Sequence, residues 1–411
     1  MQVTTAVTKA ADAILRQILG ESRHDPYPLY HQLRSLAPLY RSELDGLWYA
    51  SRFADCHQIL LDSRCGRKPA RAVRGYGTSE EEFERFRERM RTSMLTENPP
   101  EHTRLRRLVS PFFTLGRIKA LRPQVEELTD ARMQILAAKG EADAIAVLAI
   151  PLPLTLMGEL LGIPPDDCER CRELVEATIA ADRPDAPKEL IDRAQWAGDT
   201  LQAYFVDLIA RRQKAPGDDL LSTLVAISDQ GGRLTRDELI SMAVLLFIAG
   251  FTTTANLIGN GLLALLKHPE QFARIQDNPS LVPAAVEEML RYDPPVQTNG
   301  RTMLEPIELS GQLLATREMV VTLIGAANRD PERFADPDRF NIGRSDNQHL
   351  SFGGGIHHCL GAGLARLEAQ IVFTQLVKRF AIVELIEKDP PRRPSLNQHG
   401  LNALLVHVVP R

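Results

Sequence analysis

The 411-residue chain lacks a surplus of either charge: 49 Lys and Arg stand against 53 Asp and Glu, a formal net charge of −4. Phosphate recognition needs a concentrated basic surface, so no nucleic acid is expected as a partner and a small-molecule substrate is. Cysteine is scarce. The five residues, Cys56, Cys65, Cys168, Cys171 and Cys359, are odd in number and scattered, which excludes a disulfide scaffold and fits a reducing compartment. Gly/Ser linkers, low-complexity stretches and fixed-period repeats are also missing, so 1–411 reads as a single domain. Met1 to Gly20 mixes Thr, Lys, Asp and Arg with its apolar residues and has no signal-peptide core or anchor; a cytoplasmic protein with no membrane contact is expected. Nor is there a clean apolar run. The longest, Met242 to Leu266, is broken by Thr252, Thr253, Thr254, Asn256 and Asn260, and so reads as a buried helix whose polar groups need partners.

What is present is apolar material for a large core, 44% of the residues. Helical periodicity dominates, over 123–138, 189–212, 236–266 and 281–292. Short β-like runs occur at Leu39-Tyr40 and Leu47 to Ala50, again between Thr302 and Val320 with Gly311 at a turn, and 398–409 reads as a further hairpin. The fold class is therefore mostly α with small β-sheets. Arg64 to Pro100, and Pro164 to Lys188 with its four prolines, follow no period and read as loops of the kind that carry binding function. Cys168 and Cys171 form a C-x-x-C pair, but no second pair at zinc spacing accompanies them, and they read as incidental thiols.

One cysteine is different. Ser351 to Gly361 reads Ser-Phe-Gly-Gly-Gly-Ile-His-His-Cys-Leu-Gly, followed by the helical pattern Leu364, Leu367, Ile371. A glycine-rich loop thus delivers Cys359 to a helix N-terminus, where the dipole and amide donors favour a thiolate, the form that ligates metal. The glycines let backbone approach something large and flat. A phosphate cradle is the competing reading, but no Lys followed by Ser or Thr comes after the glycines.

Here the sequence resembles the cytochrome P-450 family, whose F-G-x-G-x-[HR]-x-C-x-G signature is matched by Phe352, Gly353, Gly355, His357, Cys359 and Gly361. The resemblance implies the cytochrome P-450 fold, with haem b (iron protoporphyrin IX) between the long central helix and the cysteine-loop helix. It makes Cys359 the metal ligand, a thiolate that pushes electron density onto iron and favours O–O cleavage, and it puts His357 near a haem propionate. Glu288-Met289-Leu290-Arg291 is similar to the family's E-x-x-R; spacing of three places Glu288 and Arg291 on one helical face, as a structural pair tied to the segments around Asn328 to Pro331 and Pro337 to Phe340. Ala249-Gly250-Phe251-Thr252-Thr253 resembles A-G-x-[DE]-T, the oxygen-pocket motif, with Thr253 at the alcohol and Thr252 where an acid is usual. Lacking that acid, proton delivery is expected to run through waters held by Thr252 and Thr253, or through a polar group of the substrate.

Pro99-Pro100-Glu101-His102-Thr103-Arg104-Leu105-Arg106 resembles the family's propionate-binding helix, implying that His102 and Arg106 grip one propionate, and Arg301 resembles the propionate arginine of the following strand. Leu95, Val244, Ile248, Val296, Gln297 and Leu401 are the expected lining of the substrate pocket. The implied reaction inserts one oxygen atom of O2 into a small organic substrate, a natural product, by hydroxylation or epoxidation. Electrons are expected from a separate ferredoxin and ferredoxin reductase, docking in part on Arg104 and Arg107, with the protein a monomer. Peroxide-driven or non-oxygenating chemistry on the same centre, such as oxidative coupling or dehydration, and a haem-free binding module are the alternatives.

Overall fold

The computed structural model describes residues 5–20, 24–68, 92–181, 186–229, 234–393, 395 and 397–411. Its axis is the helix Arg236–Lys267, 32 residues long. Thr235 starts it with a reciprocal cap: the Thr235 hydroxyl accepts from the Glu238 amide at 3.2 Å, and the Glu238 carboxylate accepts from the Thr235 amide at 2.8 Å. Around it pack the helices Pro151–Leu161, Lys188–Lys214, Leu220–Asp229, Val282–Tyr292 and Ala362–Arg379. Gly250 sits where the first of these crosses, since a Cβ there would lie 2.5 Å from the Met157 sulfur.

Among the described residues this central helix is the one long and apolar enough, taken singly, to cross a membrane, yet 67% of its most apolar window lies inside the body. Its polar groups have a use there. Asn260 Nδ2 donates to the carbonyls of Asp293 (3.3 Å) and His399 (3.0 Å), and Asn260 Oδ1 accepts from Arg392 at 3.3 Å. Burying apolar surface favours the long helix, and the asparagine fixes what it can dock against.

Two large cores flank it. One gathers Leu105, Leu201, Phe205, Leu246 and Phe247; the other gathers Leu257, Leu262, Val286, Phe373 and Val406. A five-stranded sheet runs in the order Leu39–Arg41, Trp48–Ala50, Met319–Leu323, Thr298–Met303, Cys65–Gly66, with only the Trp48–Ala50 and Met319–Leu323 pair parallel. The turn expected at Gly311 joins Ile307–Leu309 to Gln312–Leu314, with Ser310 at φ 48° and Gly311 at φ 73°.

Two readings of the sequence are corrected. Pro164 to Lys188 is mainly the helix Pro165–Ile179: proline suits a first helical position, and Cys171, Leu174 and Val175 form its buried face. The stretch 398–409 is not a hairpin. Only Leu405–Pro410 is a strand, between Phe380–Leu385 and Glu141–Asp143, because 399–401 is pressed onto the central helix, where a Cβ on Gly400 would meet Asn256 Oδ1 at 2.0 Å. Of the loop expected over Arg64 to Pro100, residues 69–91 lie outside the described residues.

Candidate active site

The cysteine loop folds back on the end of the helix Phe53–Leu61. Gly353 and Gly355 take φ of 68° and 61°, and a Cβ on Gly355 would stand 2.8 Å from the Leu60 carbonyl, so glycine is needed for both conformation and contact. The loop closes with the Cys359 amide donating to the Phe352 carbonyl at 2.9 Å, and the helix Ala362–Arg379 begins at once, capped by Gly361. Arg366, one turn into that helix, lies over the Phe352 ring at 4.4 Å. Cys359 is exposed, whereas Cys56, Cys65 and Cys171 are buried. Burial of the sulfur nevertheless pushes its pKa up, against the Gly361 and Ala362 amides and the Arg106 and Arg366 guanidiniums that pull it down. The helix start therefore supplies donors to the sulfur but does not by itself ionise it. A bound metal cation, which deprotonates a coordinating thiol, would.

The central helix has a half-open stretch of its own. Val244, Leu245, Ile248 and Thr253 are half-buried and Ala249 is exposed, at the middle of a helix otherwise enclosed. These positions recur at three and four residues, one side of the helix. Thr252 is 2% exposed and its hydroxyl donates to the Ile248 carbonyl at 2.8 Å. Thr253, half-buried, is the more accessible of the two, and its hydroxyl donates to the Ala249 carbonyl at 3.0 Å. Thr254 bonds back in the same way, to Gly250.

The rim is cationic. His102 and Arg106 come from the helix Glu101–Val109, His357 from the cysteine loop, Arg301 from the strand Thr298–Met303, and Arg67 from the end of Cys65–Gly66. The His102 and His357 rings lie 4.1 Å apart, and His102 Nδ1 and His357 Nε2 are buried without a hydrogen-bond partner. Burial, then the neighbouring cations, lowers His102 to about 4; burial likewise brings Arg301 down to about 9 and Arg67 to about 10. The arginines donate to neutral oxygens: Arg106 to the His358 carbonyl at 2.6 Å, Arg301 and Arg67 to the Asn299 side chain and the Gly300 carbonyl. Orphaned imidazole nitrogens and desolvated guanidiniums at one edge are a binding site for carboxylates.

Glu288 and Arg291 are each 0% exposed and joined by two hydrogen bonds of 2.8 and 2.9 Å. Arg291 also donates to the carbonyls of Asn328, Pro337 and Arg339, and Glu288 accepts from the Asn341 amide at 2.8 Å and from Arg344 at 3.2 Å. The expected tie to both segments is present, and it holds the chain leading into the cysteine loop.

Other expected positions separate. Leu95 is 41% exposed and Val296 half-buried, and the Leu95 carbonyl accepts from Arg67. Gln297 is 0% exposed and donates to the Tyr27 hydroxyl and the Pro294 carbonyl, and Leu401 is 1% exposed within the second core. Neither lines an open face. Arg104 is held by Glu101 at 2.6 Å and by Glu238, so it joins two helices, while Arg107 is exposed. Reading the sequence missed Arg67, whose only signal is a register position across from Arg301.

An exposed cysteine at a helix start, orphaned imidazole nitrogens beside arginines with neutral acceptors, and a half-open stretch of the central helix make up the candidate site. The comparisons with known proteins agree. The cytochrome P-450 family model matches residues 186–407. Cytochrome P-450 107B1 of Saccharopolyspora erythraea is 41% identical over 94% of this chain and 95% of its own length, and 6-deoxyerythronolide B hydroxylase of the same organism is 37% identical over 93% and 96%. The crystal structure of P-450 BioI with an acyl carrier protein bearing hexadec-9Z-enoic acid superposes at a TM-score of 0.87 and 34% identity, covering 94% of this chain and 99% of that one. The chain belongs to the cytochrome P-450 family: it is a haem b-binding monooxygenase acting on a small molecule.

Proposed function

We propose that Cys359 would hold the haem iron through its thiolate, that His102, Arg106, Arg301 and His357 would hold its propionates, and that Phe352, Gly353, Gly361, Ala249 and Gly250 would pack against it. The haem, when bound, supplies the activation of dioxygen. The chain's own residues do the rest. Gly361 and Ala362 direct amides at the sulfur and so set how much charge it carries. The small, exposed Ala249 would leave room for the haem, and Thr253 offers a hydroxyl that would hold a proton-bearing water. Val244, Ile248, Leu95 and Val296 give the substrate a mostly apolar wall. Glu288 and Arg291 keep the loop in place.

The substrate is a natural product, consistent with the 6-deoxyerythronolide B named for one relative and the polyketide biosynthesis named for another, of Bacillus subtilis. One oxygen atom enters it by hydroxylation or epoxidation. Electrons come from a ferredoxin and its reductase, and the protein acts as a cytoplasmic monomer of one domain. The observation that carries this reading is the pair of buried imidazole nitrogens, His102 Nδ1 and His357 Nε2, left without hydrogen-bond partners beside the loop that bears Cys359. The test is a reduced carbon monoxide spectrum followed by turnover under isotopic O2. A thiolate-type spectrum and one labelled oxygen in the product are expected; product labelled only from added peroxide would overturn the O2-dependent reading.

A further inference from the structure

Arg67 follows the strand Cys65–Gly66, which pairs antiparallel with Thr298–Met303, Cys65 opposite Met303 and Gly66 opposite Thr302. One more step along that register sets Arg67 across from Arg301. Like charges facing each other across a strand pair destabilise it. Here the two are drawn together instead, both Nη1 atoms donating to the same Asn299 Oδ1 and both reaching the Gly300 carbonyl, at 3.4 Å for Arg67 and 3.0 Å for Arg301. The remaining acceptor named for Arg67 is the Leu95 carbonyl at 3.1 Å, also neutral. Burial brings both guanidiniums well below their ordinary value, Arg301 further because Arg67 adds to it. A buried fork, Arg301, and a half-buried one, Arg67, with only neutral acceptors among the described residues are costly alone, and their planar donors match a carboxylate.

We infer that Arg67 and Arg301 form a cross-strand clamp that closes on a single carboxylate. The clamp rests on the haem reading above, and two carboxylates could fill it: a haem propionate, or a carboxylate carried by the substrate. No motif in the sequence covers Arg67. It makes the rim a three-arginine site, one more than the resemblance implies.

The test uses the full chain with Arg67→Gln and Arg67→Lys. Pyridine haemochromogen spectra of the unaltered protein come first, because a failure to load haem there sinks the haem reading and not the clamp. Release of haem b to apomyoglobin is then timed, beside release of haem dimethyl ester, which has no free propionate. If the propionate fills the clamp, Arg67→Gln releases haem b roughly tenfold faster, the factor a lost charge-assisted hydrogen bond corresponds to; Arg67→Lys falls between, and the ester leaves both proteins at one rate. If a substrate carboxylate fills it, haem release is unchanged. Affinity for hexadecanoic acid, read by its spectral shift, then drops roughly tenfold, while that for methyl hexadecanoate does not. Equal release of both haems with equal affinity for both ligands overturns the clamp, and so does acceleration that persists with the ester.

Discussion

Replacing Glu288 by Gln keeps its outline and deletes the charge that faces Arg291 and Arg344. Glu288 and Arg291 are both 0% exposed and Arg344 is 10% exposed, so solvent cannot take over the lost role. The new amide also directs N–H groups at guanidinium N–H groups now 2.8 and 2.9 Å from the carboxylate. Removing one member of a buried ion pair costs about 3–5 kcal/mol. At about 2.1 cal/mol/K per residue, 411 residues give an unfolding entropy of about 0.9 kcal/mol/K, so the thermal midpoint should fall by roughly 3–6 °C. Calorimetry of both proteins at one scan rate measures this, with haem content assayed alongside because the segments held by Arg291 lead into the cysteine loop. A fall smaller than about 1 °C would refute the claim that this pair holds the loop by electrostatics in a dry site.

Thr253→Val should lower product formed per reductant consumed by tenfold or more, of the order that a placed proton donor contributes, while Thr252→Val, at the buried position, should leave the ratio nearly unchanged; product and reductant assays in parallel compare the two. Reversing Arg107 to Glu should slow reduction by ferredoxin in stopped-flow, whereas Arg104→Gln should leave that rate alone and destabilise the fold by less than about 1 kcal/mol, its ion pairs being partly exposed. Acid stability has a defined contributor in Glu287. Burial would raise its carboxyl, but His349 at 3.2 Å and Arg366 at 2.7 Å bring it down to about 2. An acid depressed on folding contributes stability above its unfolded value of 4.5 and loses it as pH falls toward about 2. Urea midpoints measured across that window should therefore decline less steeply for Glu287→Gln than for the unaltered chain.

Much of this was legible in the sequence because it lies in local spacing. The cysteine loop, the pairing of Glu288 with Arg291, the central helix and the Gly311 turn each depend on residues within a few positions of one another. Failures came where the deciding neighbour is distant. Pro164 to Lys188 looked like a loop because prolines outweighed a helical face that only the packed core shows. Gln297 looked like a pocket residue until Tyr27, 270 residues away, took its amide. Thr252 and Thr253 are adjacent in sequence, yet a step of about 100° around the helix leaves the first buried and the second half-buried, and period alone does not say which. Arg67 acquires its meaning from a strand partner more than half the chain away.

The three threonines of the central helix also bear on its mechanics. The carbonyls of Ile248, Ala249 and Gly250 each accept a side-chain hydroxyl, at 2.8, 3.0 and 3.2 Å. In an ordinary helix, widening one turn strands such carbonyls, at about 1–3 kcal/mol for each buried group left unsatisfied. Here each keeps a partner when its amide is drawn away. This turn is therefore the compliant joint of an otherwise stiff rod, and ligands of different bulk should be accommodated by its opening while the helix ends, anchored at the Thr235 cap and at Asn260, stay where they are.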